Sequence, residues 1–163
     1  MIKLIHGADF HLDSPFSGLA PDQAAQRRRE QRELLSRLAQ LAREREAGLV
    51  LLSGDLLDGR QTYRETAQAL AQTLGEIPCP VLIAPGNHDP YTAKSLYAAL
   101  DWPDNVHIFS TEAPQYVEFP AVKCAVWGSA FTSPHREDDP LAGFRAQGPE
   151  GWTKLAVLHG EVE

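Results

Sequence analysis

The chain has 163 residues, 43% of them hydrophobic and 23% charged, which suits about one domain with a sizeable core and excludes mainly disordered, collagen-like and coiled-coil organisation. No aliphatic run reaches membrane-spanning length, Asp9 cuts off the opening apolar stretch before a secretory segment forms, and Cys79 and Cys124 lie too far apart for a C-x-x-C pair; no membrane span or export signal is expected, and a reducing cytoplasm is. The net charge of −7 argues against a nonspecific nucleic-acid coat, although seven Arg against four Glu between Arg27 and Glu46 make one segment locally basic.

Ile2 to Ile5 reads as a short buried strand that delivers His6, Gly7, Ala8 and Asp9 at its carboxyl end. Pro21 suits the first turn of a helix over about 22–47, where Leu34, Leu35, Leu38, Leu41 and Ala42 recur at helical spacing until Gly48 supplies a C-cap. Leu49 to Ser53 is a second buried strand, followed by Gly54 and Asp55. Thr62 and Glu65 form a T-x-x-E capping box ahead of Ala67, Leu70, Ala71 and Leu74, with Gly75 ending that helix. Pro80 to Ala84 is a third strand running into Pro85-Gly86-Asn87-His88-Asp89, and a short helix follows over about 92–100. Successive strand-loop-helix units predict an α/β fold with a parallel sheet, whose carboxyl edge gathers the polar clusters where such sheets bind ligands. After Asn105, the segments Val106 to Phe109, Tyr116 to Phe119 and Val122 to Trp127 predict a meander or second sheet. A polar loop from Thr132 to Gly151 precedes a last strand, Lys154 to Leu158, which ends at His159. No domain boundary is visible in residues 1–163.

Asp9-Phe10-His11, Gly54-Asp55 with Asp58, Gly86-Asn87-His88-Asp89 and His159 thus all fall at strand ends. Any one of them is compatible with an ordinary turn, but their joint placement in this order points to chemistry. Carboxylate, imidazole and amide donors without a thiolate suit a hard or borderline divalent ion such as manganese, iron or zinc. Two such ions sharing a carboxylate can clamp a phosphoryl group and acidify a water between them. His88, held by Asp89, is the candidate to help the leaving oxygen.

These motifs resemble the calcineurin-like metallophosphoesterase superfamily over essentially the whole chain. The stretch from Ile5 to Phe16, together with Leu158-His159-Gly160-Glu161, is similar to the SbcD and YhaO branch of DNA repair exonucleases. The resemblance implies a layered α-β-β-α sandwich and phosphodiester hydrolysis by a hydroxide shared between two divalent metals, manganese first, with iron, zinc or magnesium as alternatives. It implies that Asp9 and His11 bind one metal, Asp55 bridges both, and Asn87 and His159 bind the other. His88 would protonate or steady the leaving group, Asp89 would orient His88, and His6 and Asp58 would support the site. DNA and an SMC-like ATPase of the SbcC type are the implied partners, and a homodimer through Tyr63 to Leu74 or Thr92 to Leu100 is a further expectation. The family's last signature, G-H-x-H, has no counterpart in residues 1–163. The expectation is therefore a catalytic domain whose gene continues past Glu163, or a chain that binds metal weakly.

The remaining features have plainer readings. His6 is expected as a hydrogen-bonded core histidine as well as a supporting residue, and His107 and His135 as structural or solvated. Glu30 and Glu33 make the Arg27 to Arg32 run a salt-bridged helix face rather than a DNA contact. Trp102, Trp127 and Trp152 read as packing residues. Against the nuclease stand two alternatives: a phosphatase or small-molecule phosphodiesterase on the same fold, and a catalytically incomplete module that binds a partner.

Overall fold

The computed structural model describes residues 2–59 and 62–160. Its elements are β1 (Leu4–Gly7), α1 (Pro21–Glu44), β2 (Leu49–Ser53), α2 (Arg64–Gly75), β3 (Val81–Ala84), α3 (Leu96–Ala99), β4 (Val106–Ile108), β5 (Gln115–Phe119), β6 (Cys124–Gly128) and β7 (Thr153–Val157). β1 to β4 form one parallel sheet in the order β1-β2-β3-β4, and β5 to β7 form a second sheet in which β6 pairs β5 antiparallel and β7 parallel.

β2 and β3 are buried on both faces, which is why they are continuous apolar runs rather than alternating ones. Val50, Leu52, Val81 and Ile83 face α1 and α2 in one core with Leu35, Leu38, Leu70 and Leu74. Leu49, Leu51 and Leu82 point the other way and meet Phe109, Val126 and Val157 of the second sheet. Burying each such side chain fully contributes ~1.5–3 kcal/mol relative to leaving it in water. The described residues therefore build three layers, helices, parallel sheet and second sheet. The outer helical layer of an α-β-β-α sandwich has no counterpart among them. No helix among the described residues is long and apolar enough to cross a membrane.

Several sequence expectations need correction. β1 begins two residues later than expected and is not a buried strand: among the described residues its one sheet neighbour is β2, its residues alternate in exposure and Leu4 is 39% exposed. Val106–Ile108 joins the first sheet beside β3 instead of the second. Gly48 does not cap α1, which stops at Glu44 as Glu46 takes the left-handed conformation (φ 51°) and Ala47 N donates to Ala42 O at 2.9 Å. Gly48 is small for another reason, since a Cβ there would come within 3.1 Å of Ile2. The T-x-x-E capping box does not form either. Tyr63 is the cap residue of α2 with no side-chain cap bond, and the Thr62 hydroxyl instead accepts Asp58 N at 2.9 Å. The short helix over 92–100 shrinks to α3, and Asn105, which sequence reasoning passed over, closes the end of α2 by donating to the carbonyls of Leu74 and Ile77. Cys79 and Cys124 are buried free thiols.

The basic segment of α1 is used mostly within the protein. Arg27 pairs with Glu30 at 2.8 Å, and Arg32 reaches Asp13 at 2.6 Å. Asp13 is itself buried, and its other carboxylate oxygen accepts Tyr63 N at 3.1 Å, so one side chain ties the β1–α1 loop to both helices. Burial alone would raise the Asp13 carboxyl, but hydrogen bonds from Thr66, Arg32 and the Tyr63 amide outweigh it and hold the group below its usual value. A depressed folded-state value stabilises the protein above the unfolded carboxyl pKa of about 4 and loses that contribution as pH falls through the depressed value. Thermal melts from pH 7 down to pH 3 should therefore show a loss of stability below about pH 4 in the wild type that is smaller in Asp13→Asn. Asp13→Asn should also be less stable at pH 7.

Candidate metal centre

The loops after β1 and β2 run side by side and are joined by backbone hydrogen bonds: Asp9 N to Gly54 O (3.1 Å), His11 N to Asp55 O (2.9 Å), Leu12 N to Leu56 O (2.9 Å) and Asp58 N to Leu12 O (3.1 Å). Leu12, fully buried, anchors this pairing in the helix-side core. The register places the Asp9 and His11 side chains against Asp55 and Asp58. It is obtained at a conformational cost, because Asp9, His11 and Asp55 all have positive φ (57°, 44° and 52°).

Ligand atoms of Asp9, His11 and Asp55 lie within 4.8 Å of one another. Asp55 is the hub. Its Oδ1 accepts His88 N at 3.0 Å, while its Oδ2 faces His11 Nε2 at 3.6 Å on one side and His159 Nε2 at 3.5 Å on the other. His159 is oriented by the Ser53 carbonyl, which accepts its Nδ1–H at 3.0 Å and so leaves the lone pair on Nε2. His159 Nε2 in turn lies 3.0 Å from Asn87 Oδ1. Asn87 Oδ1, His159 Nε2 and Asp55 Oδ2 thus converge, as ligand atoms do around a shared cation. The residues fit a pair of divalent ions, with Asp9, His11 and Asp55 able to hold one and Asp55, Asn87 and His159 the other.

Two glycines make the convergence sterically feasible. Gly54 has φ +74° and a Cβ there would stand 2.5 Å from the His159 ring, and a Cβ on Gly86 would run into the Asp55 carboxylate and sit 2.6 Å from Asp55 N. His159 packs edge-on to Phe131, with ring centroids 5.8 Å apart.

His88 stands at the rim of this group, its side chain 52% exposed. The expectation that Asp89 orients it is corrected by the structure. The buried Asp89 carboxylate accepts the backbone N–H groups of Gly86 (2.7 Å), Asp55 (3.0 Å), Leu56 (2.8 Å) and Leu57 (3.1 Å) and the Tyr97 hydroxyl (2.6 Å), and makes no hydrogen bond with the His88 ring. Asp89 therefore shapes the loop that carries Asp55. Tyr97, which no sequence signal singled out, completes that cage; burial and the Asp89 charge push its hydroxyl well above the usual value. The carboxylate nearest the His88 ring is Asp58, with Oδ1 3.6 Å from His88 Nδ1 and 3.8 Å from His11 Nδ1. His11 and His88 meet edge-to-face, centroids 4.9 Å apart.

His6 hydrogen-bonds Ser53 Oγ at 2.9 Å but is exposed, so its expected core position is corrected while its place beside the site stands. It lines an open cleft of about 1000 Å³ with Asp9, Asn87 and His159, whose far wall is the acidic segment Glu137–Asp139. His135 lies exposed on that same wall. His107, in β4, is half-buried and edge-on to Phe109, and burial lowers its pKa.

Comparison with known proteins bears on the same residues. A family model described as calcineurin-like phosphoesterase matches residues 2–139, a span that contains Asp9, His11, Asp55, Asn87 and His88 and stops short of His159. The uncharacterized metallophosphoesterase YhaO of Bacillus subtilis (strain 168) is 32% identical over 170 residues, covering 99% of this chain and 41% of that protein's own length. With the family match extending over most of the chain and the donor set assembled at one sheet edge, the chain belongs to the calcineurin-like phosphoesterases, a family of dimetal-dependent phosphoester hydrolases.

Proposed function

We propose that this chain is the catalytic part of a metal-dependent phosphodiesterase acting on DNA, of the SbcD type. The observation that carries the hydrolytic reading is the convergence of Asp9, His11, Asn87 and His159 around the Asp55 carboxylate. Two divalent ions, manganese first, would supply an activated water and neutralise charge on the phosphoryl oxygens. Asp55 would serve both ions, and His159, with its Nδ1–H donated to the Ser53 carbonyl, would offer Nε2. His88 reaches out from the rim, free to hold a proton at the leaving oxygen as the P–O bond breaks. Asp58, 3.8 Å from the His11 ring and 3.6 Å from the His88 ring, would support both.

DNA as the substrate is supported by the resemblance of Ile5 to Phe16, together with Leu158-His159-Gly160-Glu161, to the SbcD and YhaO branch of DNA repair exonucleases. The complete protein would then work with an SMC-like ATPase and as a homodimer, for which the exposed Tyr63 end of α2 is available. The wall at Glu137–Asp139, where Arg136 pairs with Asp138 and leaves Glu137 and Asp139 uncompensated, favours a second reading, a phosphodiesterase for small or weakly charged diesters, because its net charge repels a polyanion beside the site.

Assays of the full chain with manganese on linear DNA, bis-para-nitrophenyl phosphate and cyclic nucleotides separate the two. We expect manganese-dependent DNA cleavage that falls by ~10²–10⁴ in His88→Ala. Turnover of the small diesters alone would overturn the DNA reading in favour of the second. Absence of hydrolysis of all three substrates by a folded protein loaded with metal would overturn both and leave a partner-binding module.

A further inference from the structure

We propose that His11, Asp58 and His88 form a separate cation site, suited to zinc, whose occupation is mutually exclusive with His11 serving the metal pair and therefore switches the centre off. Ligand atoms of these three residues lie within 4.8 Å of one another. Two ligands ~2.1 Å from one ion stand at most about 4.2 Å apart. The Asp58–His88 and Asp58–His11 separations of 3.6 and 3.8 Å already meet that limit, and the two imidazoles, whose ligand atoms lie within 4.8 Å, need approach by no more than a few tenths of an ångström. The means for this are present. The His88 backbone is fixed by its N–H to Asp55 Oδ1, whereas its ring is half-exposed and turns by side-chain rotation alone. His88 itself lines an open groove with Thr62, Thr92 and Lys94, so one of the three ligands is reached from solvent.

Two imidazoles and a carboxylate form a donor set that zinc, cobalt or ferrous iron binds more tightly than manganese, and that magnesium fills poorly. The exclusivity follows from His11. Its Nε2 faces Asp55 and its Nδ1 faces Asp58. A neutral imidazole has one lone pair, so it ligates through one nitrogen at a time. An ion at Asp58 thus withdraws His11 from the pair and occupies the nitrogen of His88 that would carry the proton. The binding half of this inference stands on geometry alone. The inhibitory half rests on the hydrolytic reading above.

Stoichiometric zinc should move the ¹⁵N resonances of the His11 and His88 rings. The same shifts should appear in Asp9→Asn, where the pair is crippled, and vanish in Asp58→Asn. His88→Gln should lose the visible band that cobalt gives in the wild type, which keeps the test open if Asp58→Asn fails to fold. Added zinc should suppress manganese-activated hydrolysis at least about tenfold in the wild type, and by less in Asp58→Asn relative to that variant's own zinc-free rate. A His88 ring unmoved by one equivalent of zinc, or moved equally in Asp58→Asn, would overturn the site. If the zinc shifts appear as expected but no substrate is hydrolysed with manganese, the hydrolytic reading fails and the site stands.

Discussion

Asp55→Asn should lower metal-dependent hydrolysis by roughly a thousandfold, about 4 kcal/mol of transition-state stabilisation, without weakening the metal-free fold. The loss comes from the charge. Asp55 Oδ2 faces both His11 Nε2 and His159 Nε2, the position from which a single carboxylate would serve both ions of the proposed pair. The fold survives because asparagine keeps an oxygen to accept His88 N, as Oδ1 does. Removing a buried negative charge next to the equally buried Asp89 also relieves like-charge repulsion when no ion is present. Differential scanning fluorimetry should therefore give a metal-free melting temperature for Asp55→Asn at or above wild type, with the gain on adding manganese abolished. A variant that melts well below wild type without metal would contradict this assignment of roles.

The opposite pattern is expected for Asp89→Ala, which should destabilise the protein by at least ~4–5 kcal/mol, since each buried donor left without a partner costs about 1–3 kcal/mol. Four backbone N–H groups and the Tyr97 hydroxyl lose their acceptor together. For a chain of this length that corresponds to a fall of roughly 10–20 °C in melting temperature. Asp89→Asn should also be markedly destabilised, because its NH₂ group turns a donor toward donors. If Asp89 served chiefly to orient His88, Asp89→Asn would instead keep its melting temperature and lose activity only. Chemical denaturation of Asp89→Ala, Asp89→Asn and His88→Ala in parallel distinguishes these outcomes, with His88→Ala expected near wild type since its ring is half-exposed.

The strand ends were legible because the sequence marks them twice, once by the aliphatic runs of β2 and β3 and once by the polar residues that follow. That is enough to bring Asp9, Asp55 and Asn87 to one edge. The ends of β1 were not legible, because an edge strand's limits are set by how far its neighbour pairs with it, a property of β2. The same holds for Val106–Ile108, whose local β character says nothing about which sheet it joins. Side-chain partners were the least accessible. His88 and Asp89 are adjacent in sequence and look like a pair, yet the backbone turns the carboxylate inward to the Asp55 loop and the imidazole outward to Asp58. Thr62 has the right residue type and spacing for a cap but spends its hydroxyl on Asp58 N. Tyr97, Ser53 and Asn105 act through contacts across the fold that no short motif encodes.

Anomalous diffraction from crystals of the 163-residue chain soaked in manganese tests the shared-carboxylate centre most directly. Two peaks ~3.5–4 Å apart are expected, one against Asp9 and His11, the other against Asn87 and His159, with Asp55 touching both. Peaks that leave Asp55 untouched, or manganese bound elsewhere with this edge of the sheet bare, would contradict it.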